Sequence, residues 1–416
     1  MANAMVASSI LTIAGEIRTL REKGVAVIDM TVGDFAPAEF PIPSRLREEL
    51  HKALDRGETN YPPPPGTNEL RKAVAGYIRR TQGMEYPLDG IAIVGGARPA
   101  LYSAYRLLAD PGDTVLYPVP SWNNQNYRDV CGLKARVVKC HPQNAFQPTA
   151  EAMAPHLPGA RLLVLNTPQN PSGGVMRKEE LERFGTLLVD ENRRRQRSGE
   201  KPLFLIFDQV YRALVFPGSA HWSPVQLVPA CAPYVVHVDA ISKFCAATGL
   251  RVAWMFGPPA LVQKAVALLT HVGAWAPRMA QQATAAFLDD APAVAAWEQD
   301  MVRRVGERLE VLYEGMQGLK RSGLPVDAIA PQGAIYMSVR FALAGRSTPD
   351  GRTLRSNEDI RSYLTSAAAC ALVPFSAFGV AEADEDGWFR ASVGAVSVNA
   401  IREAMPRLGR ALSALR

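Results

Sequence analysis

The residues of this chain with the clearest capacity for chemistry lie at Val238-Asp239-Ala240-Ile241-Ser242-Lys243, with Arg251 eight positions after the lysine. The run Val235, Val236 and Val238 leads into this stretch and reads as a buried strand. A lysine at the end of such a strand is partly desolvated, and burial lowers its pKa by disfavouring the charged form. The neutral amine can then attack a carbonyl carbon and form a Schiff base. A Ser-Lys pair after a strand is more often a solvated loop, so the stretch gains meaning only from its companions. These are Asn170-Pro171-Ser172-Gly173, Asp208-Gln209-Val210-Tyr211 and Gly387-Trp388-Phe389-Arg390. They add an amide, a carboxylate, a phenol and a second arginine.

In that order, N-P-x-G, D-x-x-Y, S-K with an arginine eight on, and F-R resemble the fold-type I enzymes that use pyridoxal phosphate (PLP), specifically the class I/II aminotransferases. The resemblance runs from about Ile28 to the C-terminus. It implies Lys243 as the Schiff-base lysine, which also shuttles a proton between substrate Cα and cofactor C4′. It implies Asp208 beside the pyridinium nitrogen, and Tyr211 and Asn170 at the phenolic oxygen. Gly96 to Leu101 matches the family's G-A/G-x-x-A-L, so Gly96, Ala97 and Arg98 would cradle the phosphate together with Ser242 and Arg251. Trp122 stands where the family stacks an aromatic on the pyridine ring. Tyr61 and Gly66 match Tyr-x-x-x-x-Gly, whose tyrosine reaches the phosphate of a partner subunit. Gly33 and Arg390 would hold the substrate α-carboxylate, with Trp122 and Asn170 also touching the substrate.

The resemblance leaves side-chain specificity open. Arg98 could instead reach the distal carboxylate of a dicarboxylic amino acid, whereas Trp122 and Tyr336 would suit an aromatic one. His271 lies near a segment that, by analogy, lines the partner's site. Two departures bear on this. The family's S-x-S-K reads Ala240-Ile241-Ser242-Lys243 here, losing one hydroxyl near the phosphate, with charged Asp239 before it. The family's V-P-G reads Val373-Pro374-Phe375, and Phe375 in place of glycine is expected to narrow the pocket.

The elements that must position these residues follow from pattern. Residues 8–23 read as an amphipathic helix stopped by Gly24, and 25–30 as a strand. Residues 41–56 read as a helix. The four prolines 62–65 cannot be helix interior and form a stiff arm presenting Tyr61. Strands are expected at 91–94, 114–117, 162–166 and 203–207, with helices opening near 97 and spanning about 177–197. Turn motifs fall at strand C-terminal ends, where ligands bind in parallel sheets. A long helix is expected over 292–321, then strands at 334–339 and 389–393 and helices at 357–367 and 398–415. The expected fold class is α/β. By resemblance it is a fold-type I PLP-transferase: a large domain with a mainly parallel seven-stranded sheet between helices, and a smaller α+β domain. The expected division is 1–40 (N-terminal arm and part of the small domain), 41–290 (large cofactor-binding domain) and 291–416 (small domain).

Composition narrows the class. With 416 residues, 48% hydrophobic and 21% charged, the chain reads as an ordinary globular enzyme. Net charge is +6, and the densest basic block, Arg193-Arg194-Arg195-Gln196-Arg197, ends a helix-like segment where cations complement the dipole. No nucleic-acid partner is expected. No Walker A or GxGxxG sequence occurs. The five cysteines are odd in number and lack CxxC spacing, which argues for free thiols and a cytoplasmic location. No metal set, signal peptide or membrane-length apolar run is read.

The expectation is a homodimeric, ping-pong aminotransferase moving an amino group from an L-amino acid, glutamate or aspartate, to a 2-oxo acid. The alternatives are a β-lyase on the same fold and a non-catalytic ligand-sensing module. The latter calls for a DNA-binding domain, and only about 27 residues precede the first expected strand.

Overall fold

The computed structural model describes residues 9–416, with side chains from residue 13. The first helix, Ser9–Glu22, buries Ile13 and Ile17, one turn apart, against Val27 and Ala371. The strand that follows, β1 (Ile28–Asp29), is shorter than its apolar run suggests. It pairs in parallel with β11 (Cys370–Ala371), and that two-residue partner sets its length. After the Ser44–Asp55 and Asn68–Gln82 helices come the strands of the main sheet. They are β2 (Ile91–Val94), β3 (Thr114–Val119), β4 (Lys134–Lys139), β5 (Ala160–Asn166), β6 (Phe204–Asp208), β7 (Val235–Ala240) and β8 (Ala253–Phe256).

Their order is β2-β8-β7-β6-β5-β3-β4. All neighbours pair in parallel except β8, which runs antiparallel to both β7 and β2. The sheet is thus seven-stranded and mainly parallel. Strands β6 and β7 are buried at every position, as strands covered on both faces must be. Two strands lack the signal that marks the others. β4 is an edge strand with a mostly exposed, basic sequence, KARVVK. β8 is only four residues long and directly follows the Arg251 motif.

A second sheet has four antiparallel strands in the order β12-β13-β10-β9. They are β9 (Val326–Ala328), β10 (Tyr336–Phe341), β12 (Val373–Pro374) and β13 (Trp388–Ser392). The 31-residue Ala291–Arg321 helix joins the two sheets, capped by the Asp290 carboxylate on the Ala293 N–H. Its buried Val305, Leu309 and Leu312 pack in the core with Val339 and Leu408. Ser356 and Asp359 form a capping box that starts the Asn357–Ala368 helix. Val398–Ser413 is the last helix. The second sheet is tied to the N-terminal segment: Ser392 N–H donates to Met30 O at 2.9 Å and Ser392 Oγ to Val32 O at 2.6 Å.

Arg194 and Arg195 of the basic block are occupied locally. Arg195 is buried on Glu191 at 2.7 Å, and Arg194 bonds Glu191 and Glu200 at 2.9 and 2.6 Å. All five cysteines are buried free thiols. Among the described residues, no helix is long and apolar enough to cross a membrane.

Candidate active site

A cavity of about 680 Å³ opens at the C-terminal ends of the parallel strands. It is lined by Gly33, Ala97, Arg98, Trp122, Asn170, Asp208, Tyr211, Ser242, Lys243, Arg251 and Arg390, the residues the motifs single out. They come from several separate segments. Asp208 ends β6, Lys243 follows β7 by one helical turn, and Trp122 follows β3. Asn170 lies four residues past β5, and Arg390 sits within β13 of the other sheet.

Register brings the polar groups side by side. Asn166 pairs with Asp208 across β5 and β6, and its side chain donates to Asp208 O at 3.0 Å while accepting from Asn170 N at 2.9 Å. The Asp208 carboxylate accepts only from Val210 N, at 3.2 Å, and no cation bonds it among the described residues. Burial pushes it up to about 7, with the Val210 N–H and the Lys243 charge opposing and the Asp239 charge adding.

Lys243 donates to Gly33 O at 2.7 Å and lies 5.7 Å from the Tyr211 ring centre. Burial lowers it to about 8, helped by the Arg390 and Arg98 charges and opposed by Asp34 and Asp208. An appreciable fraction is therefore neutral near pH 7–8, as nucleophilic attack requires. Asp239, one strand position before Ala240, forms a buried ion pair with Arg212 at 2.8 Å. The charge noted beside the lysine motif is thus internally balanced.

On one flank, Gly96 has φ +107° and precedes the Ala97–Leu108 helix, whose first N–H groups receive no side-chain cap. A methyl on Gly96 would collide with the Arg251 guanidinium. An arginine and free helix N–H groups therefore converge where only glycine fits. On the opposite flank, Arg390 is 1% exposed. Its Nη1 donates to Asn170 Oδ1 at 3.0 Å and its Nη2 to Thr31 O, while Nε has no partner. No carboxylate pairs with it among the described residues. Arg98 lies 4.8 Å over the Trp122 ring, a cation–π contact within the cavity.

Tyr61 and His271, expected at a partner's site, lie outside this chain's own cavity: Tyr61 is 79% exposed and stands edge-on to Trp275 at 5.2 Å, and His271 is exposed. One expectation falls differently. Phe375 does not narrow the cavity: it packs on Phe146 at 5.0 Å in a separate apolar cluster with Trp388. The lining also includes Asp34, Asn123, Asn166 and Thr248, which the motifs did not flag. Thr248 donates to Asp34 at 2.8 Å, tying the Arg251 turn to the Gly33 segment. Their signal was adjacency alone: Asp34 follows Gly33, and Asn166 ends the strand before Asn170.

Comparison with known proteins agrees with this geometry. The model of the aminotransferase class I and II family matches residues 25–408. The chain belongs to this family. The aminotransferase is 30% identical to the aspartate aminotransferase of Rhizobium meliloti (strain 1021) over 417 residues, covering 98% of this chain and 94% of that one. It is 29% identical to the aspartate/prephenate aminotransferase of Thermus thermophilus, covering 80% and 82%. Among solved structures, the Rhizobium meliloti aspartate aminotransferase superposes with a TM-score of 0.89 at 27% identity, covering 100% and 98%. The Thermus thermophilus aspartate aminotransferase with maleate gives 0.86 at 26%, covering 99% and 98%. The aminotransferase therefore has the fold-type I architecture, and its substrates are amino and oxo acids.

Proposed function

We propose that the cavity binds PLP through Lys243 and exchanges an amino group between aspartate or glutamate and a 2-oxo acid. The observation that carries this reading is a pair of buried ionisable groups left without a partner. Among the described residues Asp208 is an acid without a cation, and Arg390 a cation without an acid, both lining the cavity with Lys243. Unpaired buried charge is costly unless a ligand answers it. A pyridinium would answer Asp208, and a substrate α-carboxylate would answer Arg390 as a bidentate fork. The Gly96–Arg251 corner fits a phosphate for the reasons given above, so the residues present suit PLP.

When bound, PLP supplies the electron sink that makes the substrate Cα–H acidic. The rest falls to this chain. Lys243 would make the covalent attachment and would move a proton at the substrate Cα. Asp208 would keep the ring nitrogen protonated. Tyr211 and Asn170 would hold the phenolic oxygen, Trp122 the ring face, and Gly96, Ala97, Arg98, Ser242 and Arg251 the phosphate. Gly33, Asn170, Trp122 and Arg390 orient the substrate. Tyr61, exposed and aromatic on its stiff arm, belongs in this reading to the phosphate site of a second copy, so the enzyme is a homodimer. The proposed division is 1–40, 41–290 and 291–416, in keeping with one sheet in each larger part. Five free thiols favour a reducing, cytoplasmic compartment.

The test is a half-reaction screen. PLP-loaded protein is mixed with single amino acids while its visible band is followed. Loss of the band with one equivalent of oxo acid, fastest for aspartate or glutamate, is expected. Pyruvate and ammonia accumulating over many turnovers would instead make it a β-lyase. A protein with no band after loading would refute the cofactor reading.

Arg98 is the proposed contact for the distal carboxylate, a reading favoured by the similar Thermus thermophilus aspartate aminotransferase with maleate, a dicarboxylate. Arg98→Ala is expected to lower kcat/KM for aspartate about 10–100-fold more than for alanine, the range of one charged hydrogen bond. Equal losses would leave Arg98 a phosphate contact only.

Asp208 also predicts a pH dependence in cofactor-free protein. Its carboxyl, about 7 when folded against 3.8 ordinarily, holds a proton that the unfolded chain has shed in between. Stability from this group is full below about pH 4 and is lost as pH rises to about 7. Urea unfolding should show the unmutated protein losing stability relative to Asp208→Asn between pH 5 and 7. PLP should abolish that difference in slope, because a cation beside Asp208 restores its charge.

A further inference from the structure

Tyr336 belongs to β10, in the four-stranded sheet, yet its side chain reaches the active-site tyrosine from the other sheet. Its hydroxyl lies 2.6 Å from the Tyr211 hydroxyl, with ring centres 5.5 Å apart. Both phenols are buried, and neither hydroxyl has another partner among the described residues. Tyr336 also lines the cavity, and a methyl on Gly33 would press on its hydroxyl, so the contact is tightly enclosed.

Two hydroxyls joined by one hydrogen bond have one proton left over. If Tyr211 donates to Tyr336, its proton is consumed and its oxygen offers the cavity only a lone pair. If Tyr336 donates to Tyr211, the Tyr211 proton is free to point into the cavity. The surroundings decide the direction. The Arg390 guanidinium sits 4.7 Å over the Tyr336 ring. Burial raises both phenols and the Arg390 charge opposes the rise in each, but Tyr211 is driven well above its ordinary range and Tyr336 less far. Tyr336 is thus the more acidic phenol, and the more acidic hydroxyl donates.

We infer that Tyr336 is a positioning residue: by donating to Tyr211 it aims the Tyr211 proton at the oxygen of the cofactor phenol and strengthens that donation. Chains of hydrogen bonds polarise one another, so the second bond in the relay is stronger for the first. This rests on the PLP reading above. Stabilising a phenolate favours the deprotonated form of the bound chromophore, so losing the relay raises the pH at which the visible band changes.

The experiment is a spectroscopic pH titration of the loaded protein without substrate, for the unmutated protein, Tyr336→Phe, Tyr211→Phe and the double variant. Tyr336→Phe removes only the hydroxyl and keeps the ring under Arg390. It is expected to move the midpoint up by about 0.5 pH unit, a fraction of a full hydrogen bond. In the Tyr211→Phe background the same substitution is expected to move it by less than about 0.1 unit, because the relay is already cut. No shift in the single variant, or an equal shift in both backgrounds, would overturn the inference: Tyr336 would then be a packing residue or act without Tyr211. If the unmutated protein shows no visible band, the cofactor reading falls and takes this inference with it.

Discussion

Lys243→Ala is expected to abolish the visible band of the PLP-loaded protein and lower the half-reaction rate by at least about 10,000-fold, the upper range for loss of a positioned acid–base group. Among the described residues, Lys243 is the only lysine lining the cavity, so no neighbouring amine there can replace it. It is also set for the task, with its pKa held near 8 by burial. That poise is a cost to the fold, because the folded chain suppresses a charge the unfolded chain keeps. Cofactor-free Lys243→Ala is therefore expected to melt no lower than the unmutated protein. The result separates a chemical role from a structural one: a retained band would sink the attachment site, whereas a lost band with a sharply lowered melting temperature would mark Lys243 as a fold residue.

The parts of this site that could be read from sequence are those where chemistry and a strand end coincide. Asp208, Asn170 and Lys243 follow apolar runs whose burial the pattern alone predicts, and all three line the cavity. Arg390 is different in kind. An arginine in a short strand near a C-terminus resembles a surface ion pair, and local sequence says nothing of its burial. Its place follows from the antiparallel register of β13 with β10, opposite Ser338. The same pairing sets Tyr336 opposite Ser392, so both side chains reach the cavity from a sheet that contributes no strand to the main one.

What sequence missed was long-range or weakly patterned. β4 escaped because an exposed edge strand has no apolar run to show. The Thr248–Asp34 bond joins residues 214 positions apart, and no local pattern encodes it. Phe375 was misread because a family glycine position says what usually stands there, not where a larger side chain will turn. Here it turned into the Phe146–Trp388 cluster, where its area is buried away from the cavity.

Arg390→Ala should lower kcat/KM for every amino acid by about 100- to 10,000-fold, the equivalent of one or two charge-assisted hydrogen bonds. The loaded protein should keep its visible band, because Arg390 bonds Asn170 and Thr31 and is assigned to the substrate. Arg390→Lys should recover only part of the loss. An ammonium carries the charge but cannot make the planar two-point contact. A simple alkylamine, which has no carboxylate, provides the decisive comparison. Its half-reaction rate should be nearly unchanged in Arg390→Ala, since it never used the arginine. If the alkylamine suffers as much as aspartate does, Arg390 supports the cavity through Asn170 rather than holding the substrate. A buried cation without an acid would then need another explanation. If only carboxylates suffer, the cost of burying Arg390 unpaired is explained as preorganisation: its desolvation is met in folding, so the substrate carboxylate meets a donor set that is already dry and fixed in place.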